Sequence, residues 1–148
     1  MALKSVLVLH GPNLNLLGTR ETHIYGGATL DDIITALKSE ASTLGLEIVA
    51  MQSQSESELV TAIHDARETH DAIIINAGAL THYSWSLHDA LRSYAGPVVE
   101  VHLSNPGARE EFRHVSVLAP VVAGTISGFG ALGYALALAA VARLSSAS

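Results

Sequence analysis

The chain of 148 residues is 49% hydrophobic and only 15% charged, carries a formal net charge of −6 and contains no cysteine. Its length suits a single domain, and its negative charge argues against a general binder of nucleic acids or anionic membranes, because both ligands require a positive surface. The lack of cysteine excludes disulfides, thiol nucleophiles and cysteine-bound metals, and the few residues before the first apolar run leave no room for a signal peptide. We therefore expect a cytoplasmic single domain over residues 1–148 whose apolar surplus is buried in a homo-oligomer.

Predicted strands and helices alternate along the chain. Short β-branched segments bounded by glycine, proline, asparagine or serine predict strands, and apolar residues at helical spacing predict helices. In chain order these are a strand over 5–9, a helix over 30–44, a strand over 46–51, a helix after Ser55, a strand over 72–75, a helix over 84–94, strands over 98–103 and 121–126, and a helix over 132–144. This order predicts an α/β fold, namely a flavodoxin-like five-stranded parallel sheet with helices on both faces and a ligand site at the carboxyl ends of the strands.

Capping residues mark the start of the first two helices. Thr29 with Asp32, and Ser55 with Glu58, have the spacing of capping pairs, and Gly45 stands where the first helix should stop. Before these helices, the connection over residues 11–28 shows no clear periodicity and is longer than crossover loops usually are. We predict that residues of about 18–28 form a mobile lid.

A stretch without charged residues, from 115 to 142, raises the question of a membrane span. Pro120 and four glycines divide this stretch into a strand and a helix that is too short to cross a bilayer. A helix that is apolar on all sides is more often buried in a core or between subunits. We therefore predict no membrane segment.

The predicted strand over 98–103 is the most informative segment for function. Glu100, His102 and Ser104 recur at every second position, so their side chains project from one face. A buried parallel strand is usually apolar on both faces. A satisfied hydrogen-bond cluster or an edge strand with one wet face is the alternative, but three such residues near a carboxyl end favour a functional site.

Polar residues also follow two other predicted strands. The first strand ends in His10-Gly11-Pro12-Asn13, and the third ends in Asn76-Ala77-Gly78, followed by Thr81-His82. In this topology both ends converge on one cleft. Asparagine and glycine are equally common in turns, so a turn and a ligand site both stay open for these segments.

The predicted lid contains Arg20 and Tyr25. A free tyrosine is a poor base at neutral pH, because its ordinary pKa is about 10. A neighbouring arginine in a pocket that excludes water favours the phenolate, so this pair could form a base once substrate closes the lid. The alternative is a solvated loop with an incidental aromatic residue.

Two arginines, Arg109 and Arg113, follow the strand that carries Glu100, at helical spacing. For Arg109 we expect a salt bridge with Glu110 or Glu111. By its position, Arg113 is a candidate clamp for an anion or a hydroxyl group.

Several other chemistries are disfavoured by the sequence. The two lysines, Lys4 and Lys38, are not placed for Schiff-base chemistry at the carboxyl ends of the strands. The usual dinucleotide, P-loop, hydrolase and zincin motifs are absent. The spacing of the eight histidines matches no common pattern of metal ligands, so we predict no metal site.

Longer motifs extend over nearly the whole chain. Residues 10–21 read HGPNLNLLGTRE and are followed by Tyr25-Gly26; then come Gln52-Ser53, Asn76-Ala77-Gly78 and Thr81-His82, and finally EVHLSN over 100–105 and AREEFR over 108–113. In this order the motifs closely resemble those of the type II 3-dehydroquinate dehydratases. The resemblance implies dehydration of 3-dehydroquinate to 3-dehydroshikimate in the shikimate pathway, by anti elimination through an enolate and without a metal or other cofactor.

The resemblance also implies roles for individual residues. Tyr25 would remove the proton next to the ketone as the base, with Arg20 favouring its phenolate and stabilising the transition state. Asn13 would hold a water molecule against the enolate oxygen. His102, oriented by Glu100, would protonate the departing hydroxyl as the general acid. The implied binding residues for the carboxylate and ring hydroxyls are Asn76, His82, Leu103, Ser104 and Arg113.

Assembly is a further implication of the resemblance. Asp89 matches a position that reaches the substrate site of a neighbouring subunit, and the family assembles trimers into dodecamers. The chain departs from the usual pattern near the expected interfaces and lid, and none of the departures is an implied catalytic residue. These departures are Trp85, His88, Gly107, Val115 and Val117.

Two alternatives to this enzyme are open. A flavodoxin-like module that binds FMN or another nucleotide would purify as a yellow protein with a flavin absorbance band. An interaction-only homologue with a decayed site is disfavoured, because the implied catalytic set is intact.

Overall fold

The structure, a computed structural model, describes residues 4–146. Its centre is one parallel sheet with the strand order β2-β1-β3-β4-β5. The strands are β1 (Ser5–His10), β2 (Glu47–Gln52), β3 (Ala72–Asn76), β4 (Val98–His102) and β5 (Gly124–Ser127). This is the flavodoxin-like order, so the predicted topology is confirmed.

Helices cover both faces of the sheet, as predicted. They are α1 (Thr22–Tyr25), α2 (Leu30–Thr43), α3 (Glu56–Thr69), α4 (Trp85–Arg92) and α5 (Leu132–Ser146). Successive strand residues point to opposite faces. One face of the sheet therefore forms a core with α2 and α5, and the other face forms a second core with α3 and α4.

The predicted helix caps are present at both α2 and α3. The Thr29 hydroxyl accepts the backbone N–H of Asp32, and the Asp32 carboxylate accepts that of Thr29, each at 3.1 Å. Gly45 follows the end of α2 with a left-handed φ of 72°, a conformation that favours glycine. At α3, the Ser55 hydroxyl accepts the N–H of Glu58 at 3.3 Å.

Two local expectations need correction. The last strand begins at Gly124 rather than at residue 121, because Ala119–Val121 forms a 3₁₀ turn around Pro120, which has no N–H to donate to a sheet. The connection over 11–28 is also more regular than its pattern indicates, since it contains the 3₁₀ turn Leu14–Leu16 and the single-turn helix α1. Within residues 4–146, no helix is both long enough and apolar enough to span a membrane.

Candidate active site

A cleft of about 680 Å³, counting the solvent at its mouth, lies at the carboxyl ends of β1, β3 and β4. Its walls come from the turn after β1, the segment of α1, the 3₁₀ turn Gly78–His82 and the segment after β4. Nine of the eleven predicted site residues line it: Asn13, Arg20, Tyr25, Asn76, His82, His102, Leu103, Ser104 and Arg113. The topology thus brings together side chains that are far apart in the sequence.

Glu100 lies behind the cleft and is fully buried. Its carboxylate accepts hydrogen bonds from the hydroxyls of Thr81 at 2.6 Å, Ser116 at 2.9 and 3.0 Å, and Thr125 at 3.3 Å. Burial alone would raise the pKa of Glu100, but the hydrogen bonds from His102, Thr81 and Ser116 outweigh it and hold the pKa below its ordinary value. Glu100 is therefore an anion at neutral pH.

His102 connects this buried anion to the cleft. Its Nε2–H donates to the Glu100 carboxylate at 2.7 Å, which fixes the orientation of the ring. β4 lies between β3 and β5, so the alternation of polar residues does not mark an edge strand. His102 therefore belongs both to the satisfied hydrogen-bond cluster around Glu100 and to the lining of the cleft.

Two guanidinium groups flank Tyr25. The Cζ atoms of Arg20 and Arg109 lie 5.0 and 5.1 Å from the centre of the phenol ring. The Arg20 Nη2 is 3.4 Å from the Tyr25 hydroxyl and also donates to the Glu21 carboxylate at 2.8 Å. Both guanidinium groups therefore place positive charge beside the aromatic ring of Tyr25.

The expectation for Arg109 is wrong. Among the described residues it forms no ion pair with Glu110 or Glu111; its Nη1 instead donates to the Ser104 hydroxyl at 3.2 Å, and the side chain lines the cleft. The chain turns after β4 in short 3₁₀ segments rather than in one helix, which changes the direction of this arginine. Arg113 does line the cleft as predicted, and its Nε pairs with Glu110.

The turn after β1 places Asn13 in the cleft. Asn13 has a left-handed φ of 70°, and its backbone N–H donates to the Gln54 side chain at 2.8 Å. Gln54 in turn donates to the side chain of Asn15 at 2.8 Å. A Cβ at Gly11 would lie 2.4 Å from the backbone oxygen of Ala77, so only glycine permits the turns after β1 and β3 to approach this closely.

His82 and Asp89 differ in their relation to the cleft. His82 lines it and donates its Nδ1–H to the backbone oxygen of Val115 at 2.8 Å. Asp89 lies on α4, with its side chain 78% exposed and 3.1 Å from the His88 ring, and it does not line the cleft of its own chain. Its predicted reach into a neighbouring subunit stays a prediction.

Sequence reasoning missed several residues that hold the site together. Arg109 was given a surface role, and none was assigned to Gln54, Ser116 or Thr125. Thr81 was noticed only as the neighbour of His82. Patterns of spacing cannot reveal these contacts, because most of them join segments that are distant in the sequence, and the contact of Arg109 with Ser104 depends on the turns after β4. Within residues 4–146, no group of three or more histidine, cysteine, aspartate or glutamate residues is arranged to hold a metal ion.

Comparisons with known proteins agree with this geometry. The family model described as Dehydroquinase class II matches residues 4–142. A 3-dehydroquinate dehydratase of Desulforudis audaxviator is 57% identical over 139 residues, covering 94% of this chain and 93% of the relative, and that of Ruegeria pomeroyi is 55% identical over 140 residues, covering 95% and 94%. The crystal structure of type II dehydroquinase from Propionibacterium acnes has a TM-score of 0.92 and 44% identity, covering 96% of this chain and 98% of that one. By sequence and by structure, the chain belongs to the class II dehydroquinase family.

Proposed function

We propose that the protein is a hydro-lyase that converts 3-dehydroquinate to 3-dehydroshikimate and water by anti elimination through an enolate. The observation that carries this proposal is the pairing, in one cleft, of a tyrosine flanked by two arginines with a histidine backed by a buried carboxylate. The named relatives and the family match support the choice of substrate.

Tyr25 acts as the base. As phenolate, its oxygen takes the proton from the carbon next to the ketone, and the electron pair of that C–H bond moves to form the enolate. Arg20 and Arg109, about 5 Å from the ring, stabilise the phenolate before this step. Asn13 holds a water molecule against the enolate oxygen, where negative charge develops.

His102 completes the elimination as the general acid. The enolate collapses, the C–O bond of the β-hydroxyl breaks, and a proton from His102 turns the leaving group into water. The anionic Glu100, which is 2.7 Å from the ring, stabilises the protonated imidazole before this transfer. Asn76, His82, Leu103, Ser104 and Arg113 bind the carboxylate and hydroxyls of the substrate.

An imine mechanism would need a lysine in the cleft. Lys4 precedes β1 at the opposite end of that strand, and Lys38 lies on the exposed part of α2. Neither lines the cleft, which supports the enolate route. Borohydride added with substrate should therefore leave the enzyme active, and inactivation would refute the enolate mechanism.

The decisive experiment measures the enone absorbance of the product after 3-dehydroquinate is added to the purified protein. We expect turnover by the wild type and a loss of about 100- to 10,000-fold in kcat for Tyr25→Phe, the range that a general base contributes. Tyr94→Phe is the matched control, because Tyr94 lies outside the cleft and its hydroxyl donates to the backbone oxygen of His70. Absence of turnover by the wild type, or full activity of Tyr25→Phe, would refute the proposal.

We also propose that twelve chains assemble into a dodecamer built from trimers, in which Asp89 contributes to the site of a neighbouring subunit. The position of Asp89 on the exposed side of α4 supports this role. Location in the cytoplasm stays a prediction from the sequence.

A further inference from the structure

A buried hydrogen-bonded chain lies behind the cleft and ends at one of its lining residues. It joins His10 at the end of β1, Tyr134 on α5 and Asn76 at the end of β3, which are 0%, 1% and 3% exposed. The Tyr134 hydroxyl lies 3.1 Å from the His10 Nδ1 and 3.1 Å from the Asn76 Nδ2. Only Asn76 of the three lines the cleft, so the other two do not take part in the mechanism above.

The direction of each hydrogen bond follows from the groups at the Asn76 end. The backbone N–H of Gly78 donates to the Asn76 Oδ1 at 3.1 Å, so the Nδ2 end of the amide faces Tyr134 and donates to its oxygen. The Tyr134 hydroxyl has one proton, and among the described residues the His10 Nδ1 is the one group that can accept it, so we assign this proton to the bond with His10. His10 then carries its own proton on Nε2.

The state of His10 is consistent with this direction. Burial lowers the pKa of His10 to about 4, so the ring is neutral at physiological pH and has one accepting nitrogen. Its Nε2 is buried without a hydrogen-bond partner among the described residues. Buried polar groups are rarely left unpaired, and an apolar side chain would fill this site without that penalty. A histidine at this position is better explained by the hydrogen bond that its Nδ1 accepts from the Tyr134 hydroxyl.

We propose that His10 and Tyr134 are positioning residues that fix the orientation of the Asn76 amide and thereby set which hydrogen-bonding groups the cleft presents to substrate. Without an acceptor at position 10, the Tyr134 hydroxyl would donate to Asn76, and the amide would turn over to offer its oxygen. The N–H₂ group of Asn76 would then face the backbone N–H of Gly78. Both groups are donors, so the hydrogen bond between Gly78 and Asn76 would be lost. The inference rests on the proposed function only where Asn76 is taken to bind the substrate.

The kinetic test uses two substitutions at position 10 that differ in one property. His10→Asn keeps a hydrogen-bond acceptor near the position of Nδ1. His10→Leu introduces a side chain of similar size to asparagine that has no acceptor. We expect His10→Leu and Tyr134→Phe to raise KM for 3-dehydroquinate about 10-fold, equivalent to about 1.4 kcal/mol, with kcat changed less than about 3-fold. His10→Asn should stay within about 3-fold of the wild-type KM. Equal KM values for His10→Asn and His10→Leu would overturn the proposal.

A second measurement needs no substrate. Nitrogen-15 NMR of the full chain distinguishes the two neutral tautomers of histidine, and the His10 signals are those missing from His10→Asn. We expect His10 to be the Nε2–H tautomer at neutral pH. The Nδ1–H tautomer or a protonated ring would contradict the proposed direction of the hydrogen bonds from Asn76 to His10. A wild type with the expected tautomer but no turnover would refute the proposed function and leave the orientation of Asn76 supported. Thermal unfolding of each variant verifies that it is folded.

Discussion

Glu100 in β4 and His10 at the end of β1 are both fully buried, yet one is charged and the other is neutral. Glu100 accepts hydrogen bonds from hydroxyls and from His102, which stabilise its charged form. Among the described residues, the His10 ring has one hydrogen-bond partner, the Tyr134 hydroxyl, so burial dominates and the neutral form prevails. One side chain can therefore serve as a counter-charge and the other as a neutral acceptor.

The neutral state of His10 predicts a specific dependence of stability on pH. In the unfolded chain His10 binds its proton as the pH falls through 6.5, whereas in the folded protein it does so only near 4. The unfolded state thus binds more protons across this window. As the pH falls through it, the free energy of unfolding therefore decreases by about 2 to 3 kcal/mol more than it would in a chain without His10.

Urea denaturation at about pH 7.5 and about pH 4.5 measures this difference. We expect the free energy of unfolding of the wild type to fall further between the two pH values than that of His10→Leu. Other acid-titrating groups, including Glu100, are common to both proteins and cancel in the comparison. Equal losses would contradict a neutral, buried His10.

At the scale of elements, the segment from residue 18 to 28 is built differently from the rest of the fold. Its only helix, α1, has a single turn, and a helix this short is not stable by itself. Gly18 and Gly26 have left-handed φ angles of 85° and 86°, and Glu21 has one of 38°. A few turns and the contacts of Arg20 and Tyr25 therefore hold this segment against the cleft.

We expect this segment to behave as a lid that substrate or product closes. Hydrogen exchange followed by mass spectrometry should show fast exchange over 18–28 in the free protein and slower exchange after 3-dehydroshikimate is added. Helix α3 packs away from the lid and serves as the internal control, with exchange that does not change. Equal exchange over 18–28 with and without the product would show that the segment is not a lid.

Several large apolar side chains are exposed on the surface of the single subunit. Exposed aromatic and aliphatic side chains cluster at the start of α4 and along α5, where the sequence is apolar on all sides. They include Tyr83, Trp85, Leu132, Leu136 and Leu144, each at least 40% exposed. Exposed apolar surface of this kind marks contacts between proteins.

Native mass spectrometry of the full chain tests the proposed assembly directly. We expect a complex of about 186 kDa, twelve times the 15.5 kDa of one chain, with trimers among its dissociation products. A single species at the mass of one chain, at micromolar concentration, would contradict the proposal. Dimers alone would contradict the trimeric building block.

The sequence by itself determined the five strands, the four longer helices and their order, and its resemblance to a known family named most of the residues that line the cleft. Strand and helix periodicity, the caps at Thr29 and Ser55 and the stop at Gly45 all depend on residues within a few positions of one another. The alternation of Glu100 and His102 is equally local, so it indicated the site before the fold was known. Parallel topology then requires that the ends of β1, β3 and β4 converge.

Only the tertiary structure decided which groups touch. Arg109 was expected to form a surface ion pair, but it lies against the Tyr25 ring because short turns after β4 direct its side chain into the cleft. The hydroxyls around Glu100 come from three separate segments. His10 and Tyr134 are 124 positions apart, and their contact exists only because α5 packs across the sheet beneath the cleft. Contacts of this kind depend on packing between distant segments, which no local pattern in a single sequence encodes.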